Sequence, residues 1–203
     1  YSYLVTDGVG GHEPDAVDAL GRSANGERKR IGMKVVGVTG SVGKSTTKEM
    51  ISTVLETTFR TAKTPANHNN DIGMPMGILS MPEDTQVAVL EMGMNHFREM
   101  AYLSAIGRPD VAVIVNIGTM HIEHLGSQEG ILKAKLEILE GMEPTAPVLL
   151  NGDDKFLKTA QCGLHPVTYF GVGDNCAVRG LEPEISTGCV SFRVKAGDRE
   201  FFI

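Results

Sequence analysis

From Lys34 onward the chain alternates short β-branched runs with longer amphipathic stretches. The runs Lys34–Val38, Gln86–Leu90, Val111–Val115 and Pro147–Leu150 have the apolar, β-branched content of strands. Between them, Lys44–Glu56, Phe97–Ile106 and Ser127–Met142 place their apolar residues at helical intervals. This alternation predicts an α/β fold, a mostly parallel sheet flanked by helices. After Val167 the helical pattern stops. Short strand-like pieces broken by Gly, Asp and Pro predict a small antiparallel β subdomain at the C-terminal end. Residues 1–30 read differently: Thr6–Asp15 is Gly-rich and polar, Ala16–Ala24 suits a short helix, and Ser23–Arg30 is polar and basic. They are expected to be the tail of a preceding element plus a linker, with the main domain running over 31–203.

Each predicted strand is followed at once by small or polar residues: Gly40 to Ser45, Glu91, Asn116 with Gly118, and Asn151 with Asp153. Ligands of open parallel sheets sit at the carboxyl ends of the strands, so these clusters are expected to converge on one rim. The helix from Ser127 adds a further signal. Steps of about 100° per residue place Ile131, Ile138, Leu139 and Met142 on one arc, with Lys135 near its centre. Lys133, Glu137 and Glu140 fall on the other side. A lysine inside an apolar stripe is costly unless it is paired, neutralised or able to snorkel to water.

Composition changes this picture little. With 203 residues, 41% hydrophobic and 22% charged, the chain is an ordinary globular one. A net charge of -6 with scattered Lys and Arg argues against nucleic acid or an anionic membrane as the main partner. The longest central apolar run, Val111–Val115, is too short to span a bilayer. Cys162, Cys176 and Cys189 form no close pair, which suits a reducing compartment, and the chain is expected to be cytoplasmic.

The strongest chemical signal is Gly40-Ser41-Val42-Gly43-Lys44-Ser45-Thr46, between a strand and a helix. Glycines let successive amides turn toward phosphate oxygens, and the helix N-terminus adds partial positive charge. Lys44 is expected to reach the β- and γ-phosphates of ATP, and the Ser45 hydroxyl to bind Mg²⁺. Val38 stands where the longer phosphate loop has its first glycine, so this is the shorter G-x-x-G-K-S form. Glu91, ending an apolar strand at the same rim, offers a carboxylate for Mg²⁺. His121 follows the Asn116–Gly118 loop toward that rim, whereas His12, His68, His96, His124 and His165 have no comparable case. A plain turn competes with a nucleotide contact as the reading of Asn151-Gly152-Asp153.

Four segments together resemble the Mur ligases of bacterial cell-wall synthesis, and among them the member that adds D-alanyl-D-alanine. They are Gly40–Met50, Thr64–Pro75, Leu90–His96 and Asn116–Ser127, in order over about residues 35–155. Ala66 stands where that family usually has glycine. The resemblance implies an ATP-dependent ligase that activates a carboxylate as an acyl phosphate and passes it to an amine. It implies UDP-N-acetylmuramoyl-tripeptide and D-alanyl-D-alanine as substrates, with Asn67, Asn69 and Asn70 as substrate contacts and Asn151 and Asp153 near the nucleotide. It assigns Ser45, Glu91, His121 and Lys135 to two Mg²⁺ sites, with Lys135 carbamylated. It also implies that residues 1–30 end a UDP-sugar-binding domain, that 31–203 are an incomplete central domain, and that a C-terminal domain is absent, so that the fragment alone is inactive.

Two rivals remain. A non-catalytic nucleotide-binding module would keep Lys44 and Ser45 but has no need of Glu91, His121 and an inward Lys135; its GTP-binding version would want an Asn-Lys-x-Asp reader, which the sequence lacks. A sister ligase, such as a folate polyglutamating enzyme, is closer. The Asn69-Asn70 loop and the Glu91–His96 run favour the D-alanyl-D-alanine adder.

Overall fold

The computed structural model describes residues 13–203. His12 and most of the Gly-rich segment therefore lie outside the described residues. The elements run α1 (Glu13–Ile31), β1 (Lys34–Thr39), α2 (Lys44–Glu56), β2 (Thr61–Lys63), α3 (Gly73–Leu79), β3 (Val87–Glu91), α4 (Glu99–Gly107), β4 (Val111–Ile114), α5 (Ile122–Leu125) and α6 (Gln128–Leu136). A 3₁₀ turn (Glu137–Gly141), β5 (Val148–Asn151), a second 3₁₀ turn (Leu157–Thr159), β6 (Val167–Gly171), β7 (Val178–Ser186), β8 (Cys189–Ala196) and β9 (Arg199–Phe202) follow. One sheet holds all the strands in the order β2-β3-β1-β4-β5-β6-β7-β8-β9.

Every pairing from β2 across to β7 is parallel, and only β7–β8 and β8–β9 are antiparallel. The expected fold class is borne out. The antiparallel end is not separate, however: β6 and β7 carry the parallel ladder outward, and β8 and β9 are hydrogen-bonded onto it. Every residue of β3 is buried, as an inner strand covered on both faces requires. On one face Val35, Leu90, Ile114 and Leu150 pack with Met74 and Ile78 of α3, Leu103 of α4 and Ile131 of α6. On the other, Ile51 and Leu55 of α2 cover Val38, Val89 and Val113. Gly37 leaves room in β1: a Cβ there would stand 2.9 Å from Pro109 and 3.2 Å from Ile138.

The expected linker is a correction. Ser23–Arg30 is helical, because α1 continues to Ile31 and docks on α4. Ala24 is fully buried there, and Asn25 Nδ2 donates to the carbonyls of Ala105 (3.0 Å) and Ile106 (2.8 Å) near the end of α4. Polar residues that look like linker in sequence thus cap a neighbouring helix end.

The helix expected over Ser127–Met142 changes form after Leu136 and tightens into 3₁₀ geometry. There the Ser104 hydroxyl donates to the Ile138 carbonyl, and Gly141 lies against the Ser104 backbone. Glu137, expected to face outward, is buried because its carboxylate accepts the Arg98 amide at 2.8 Å at the start of α4. Among the described residues no helix is long and apolar enough to cross a membrane.

Candidate active site

The parallel register brings the polar ends of four strands to one edge. Val38 of β1 pairs with Glu91 of β3, Thr39 with Ile114 of β4, and Ile114 with Leu150 of β5. Gly40, Glu91, Asn116 and Asn151 therefore follow or end strands on the same rim, as their spacing predicts.

Residues 40–43 turn from β1 into α2, with Gly43 at φ 80° just before the helix. That left-handed backbone favours glycine and leaves the first amides of α2 open to a ligand. The turn is braced from β4. Asn116 Oδ1 accepts the amides of Ser41 and Val42, each at 3.0 Å, while its Nδ2 donates to the Val42 carbonyl at 3.0 Å. Ser41 Oγ in turn accepts the Gly118 amide at 2.8 Å. Lys44 folds back over the loop, donating to the carbonyls of Gly40 (3.0 Å) and Ser41 (3.2 Å). Burial lowers its pKa from the ordinary lysine value, and the Glu91 charge opposes that shift. Thr46 is exposed in the first turn of α2.

Glu91 is 1% exposed and is held by several segments. Ser45 Oγ donates to Oε2 at 2.8 Å, Asn69 Nδ2 donates to Oε1 at 2.8 Å, and the Lys48 ammonium lies 3.5 Å from Oε2. The Glu91 amide donates to Thr64 Oγ1 at 3.0 Å. A hydroxyl oxygen hydrogen-bonded to a buried carboxylate is a donor pair suited to a hard cation such as Mg²⁺. No group of three or more His, Cys, Asp or Glu side chains with metal-ligand geometry occurs among the described residues. Any cation here would rely on the Ser45–Glu91 pair and on oxygens of a ligand.

Lys135 points inward, 3% exposed, in the row of Ile131, Ala134 and Ile138. Its pKa falls to about 7, first through burial and second through the positive charge of Lys44. His121 is half-buried with a left-handed backbone (φ 64°) at the start of α5. Among the described residues no hydrogen bond or ion pair joins it to Glu91. His124 pairs with His96 instead, ring centroids 4.4 Å apart.

The remaining expected residues have local partners. Asn70 Oδ1 accepts the Gly73 amide at 2.7 Å and so starts α3, while Asn67 is exposed. Asn151 Nδ2 donates to the Val115 carbonyl at 3.0 Å, and its Oδ1 accepts the Asp153 amide at 2.9 Å. Asp153 receives the amides of Val172 (2.7 Å) and Gly173 (2.9 Å). Asn151 thus ties the end of β5 to the end of β4, and Asp153 ties it to the end of β6. Asn116 as a loop brace was not read from sequence, although its place at a strand end marked the rim. Asp154, accepting the Ile117 amide at 2.8 Å and the Leu157 amide at 3.0 Å, left no recognisable signal.

Asn116→Ala should loosen the phosphate loop without unfolding the sheet. Loss of the Asn116 bonds to Ser41 and Val42 is expected to weaken Mg²⁺–nucleotide binding by roughly tenfold, or about 1.4 kcal/mol. Calorimetric titration checks this, and unchanged affinity would remove Asn116 from the loop's support.

The family model for the Mur ligase middle domain matches residues 38–201. The chain is 42% identical over 189 residues to the UDP-N-acetylmuramoyl-tripeptide--D-alanyl-D-alanine ligase of Bacillus subtilis (strain 168), covering 93% of this chain and 41% of that protein. It thus spans about two fifths of that relative's length. The crystal structure of MurF ligase from Thermotoga maritima in complex with ADP is similar with a TM-score of 0.87 and 30% identity, covering 100% of this chain and 47% of that one. Crystal structure II of MurF from Acinetobacter baumannii is similar with a TM-score of 0.86 and 34% identity, covering 93% of this chain and 41% of that one.

Proposed function

The chain belongs to the Mur ligase family through its middle domain, and from that membership we propose that it is the nucleotide-binding portion of an ATP-dependent amide ligase. The reaction joins D-alanyl-D-alanine to UDP-N-acetylmuramoyl-tripeptide in cytoplasmic peptidoglycan precursor synthesis. α1 then packs with the central domain, the residues before it end a UDP-sugar-binding region, and a further C-terminal domain completes the enzyme. The observation that carries this reading is the buried Glu91 carboxylate, 2.8 Å from the hydroxyl of Ser45 beside the phosphate loop.

In the first step a carboxylate oxygen of the tripeptide attacks the γ-phosphorus, the bond to the β-γ bridging oxygen breaks, and ADP leaves. In the second, the amine of D-alanyl-D-alanine attacks the acyl carbon, phosphate leaves, and the nitrogen gives up a proton. The protein's part is to position the reactants and neutralise charge. Amides of residues 40–45 receive phosphate oxygens, and Lys44 exchanges its loop carbonyls for the β- and γ-phosphates. Mg²⁺ held by Ser45 and Glu91 would withdraw charge from the transferring phosphoryl group. Lys135, if carboxylated by CO₂, and His121 would supply ligands for a second cation. Asn67 is exposed for substrate, while Asn69 and Asn70 shape the loop around it. The Thermotoga maritima relative was solved in complex with ADP, which supports an adenine nucleotide as the ligand.

The test is phosphate release by the complete ligase with ATP, UDP-N-acetylmuramoyl-tripeptide and a panel of amines. Release that requires D-alanyl-D-alanine is expected. Release with single amino acids or glutamate chains instead would favour a sister ligase, and none with any amine would favour a non-catalytic module.

A further inference from the structure

Lys48 lies one turn beyond Lys44 on α2 and is 1% exposed. Its ammonium donates to the carbonyls of Thr64 at 2.9 Å and Ala66 at 2.8 Å. It also lies 3.5 Å from a carboxylate oxygen of Glu91 and 3.5 Å from one of Glu49. A buried ammonium persists only where its protons find acceptors and its charge a counter-charge, and these partners supply both. None of its hydrogen-bond acceptors belongs to the apolar core. They are the exit of β2 and the turn that opens the asparagine segment.

That turn is held against its own preference. Ala66 has φ 40°, a left-handed backbone that suits glycine, and its carbonyl is one of the two that Lys48 grips. Beyond it the Asn69 amide donates to the Asn67 carbonyl at 2.8 Å, and the Asn69 carbonyl receives the Gly93 amide at 2.7 Å. The Asn69 side chain then reaches Glu91 at 2.8 Å. A continuous chain of contacts therefore links α2, through Lys48, to the loop bearing Asn67, Asn69 and Asn70.

We propose that Lys48 is a positioning residue that couples the phosphate loop to the 64–70 loop and sets that loop for the carboxylate substrate. This rests on the proposed function in one respect, that the 64–70 loop faces this substrate. Lys48 itself touches neither reactant. Because it rides on the helix that follows the phosphate loop, Lys48 joins nucleotide seating to the shape of the asparagine loop, alongside the bridge from Ser45 through Glu91 to Asn69.

Hydrogen–deuterium exchange on this chain and steady-state kinetics on the ligase that carries it test the coupling, with Lys48→Met and Lys48→Gln. Glutamine keeps amide donors without the charge, so it gives a second variant should methionine fail to fold. Exchange should rise about tenfold at residues 64–70 and stay near the parent's in β1 and β4. The KM for the carboxylate substrate should rise about tenfold, with the dissociation constant for ADP within about threefold of the parent's. Unchanged exchange in the loop overturns the proposal, as does an equal rise throughout the sheet, which marks a merely structural lysine. Asn67→Ala serves as the control for the loop's role. If it raises the same KM while the Lys48 variants do not, the coupling is wrong. If it is silent as well, the assignment of the loop to the carboxylate substrate is overturned, and the coupling with it.

Discussion

Replacing Lys44 by alanine is expected to lower the ligation rate by roughly 10³-fold or more while leaving the fold in place. The side chain is half-buried, and its contacts are with carbonyls of its own loop. Water can take over at those carbonyls, so stability should change by no more than about 1 kcal/mol. The functional cost is larger because no other lysine described near the loop does the same work. Lys48 is tied to Thr64 and Ala66, and Lys135 sits in the apolar row of α6. Neither is free to follow charge onto the γ-phosphoryl oxygens as they transfer. Single-turnover kinetics with a parallel thermal melt separates the two effects. Parent-like rates in a folded Lys44→Ala ligase would refute the role of the loop.

Lys135→Ala should cost the ligase most of its activity, and a small carboxylic acid should restore part of it. The side chain is buried among Ile131, Ala134 and Ile138, and its pKa is lowered to about 7. The neutral amine, which adds CO₂ to form a carbamate, therefore dominates above about pH 7. Alanine removes the amine and with it the oxygen ligands that the proposed carbamate would supply. Acetate could supply oxygens in the vacated space, whereas it should do nothing for Lys133→Ala. Lys133 is exposed, its ammonium 5.9 Å from the centre of the Phe97 ring. Full activity of Lys135→Ala without added acid, or damage confined to Lys133→Ala, would remove the assignment.

The same depressed pKa fixes the sign of a pH effect on stability in the unmodified protein. An unfolded lysine holds its proton up to about pH 10.5, while folded Lys135 releases it near 7. Between those values unfolding takes up a proton, so this residue's contribution makes stability rise with pH. Below about pH 7 both states are charged and the burial penalty is felt in full. In CO₂-free buffer, Lys135→Met should flatten that part of the profile and be the more stable protein at pH 6. Denaturant unfolding at pH 6 and pH 9 reads the difference.

What could be read in the sequence follows from the range of the forces involved. Strands β1, β3, β4 and β5 announce themselves because inner parallel strands are apolar throughout. Thr61-Ala62-Lys63 carries no such pattern, and β2 exists through its ladder to β3. α3 contains Pro75 and two glycines, Gly73 and Gly77, which weaken its helical signal. It is stabilised by the burial of Met74 and Ile78. Ser23–Arg30 looked like linker because the acceptors of Asn25 lie on α4, far along the chain.

At the site the same division holds. Gly40–Ser45 is local chemistry, Glu91 ends an apolar strand, and Lys135 breaks an apolar arc, so each stands out alone. The grip of Asn116 on the loop and the hold of Lys48 and Asn69 around Glu91 join segments distant in sequence. They become visible only once the sheet has brought those segments together. Glu137 shows the converse error, since a helical wheel assumes a uniform helix and this one tightens at that residue.

The decisive measurement is a crystal structure of the chain with ADP and Mn²⁺ in place of Mg²⁺, located by the metal's anomalous scattering. The β-phosphate should lie on the amides of residues 40–45 with Lys44 turned toward it, and the metal signal should fall between Ser45 Oγ and the Glu91 carboxylate. Phosphate bound away from this loop, or a metal that leaves Glu91 still hydrogen-bonded to Ser45, would contradict the assignment of the active site.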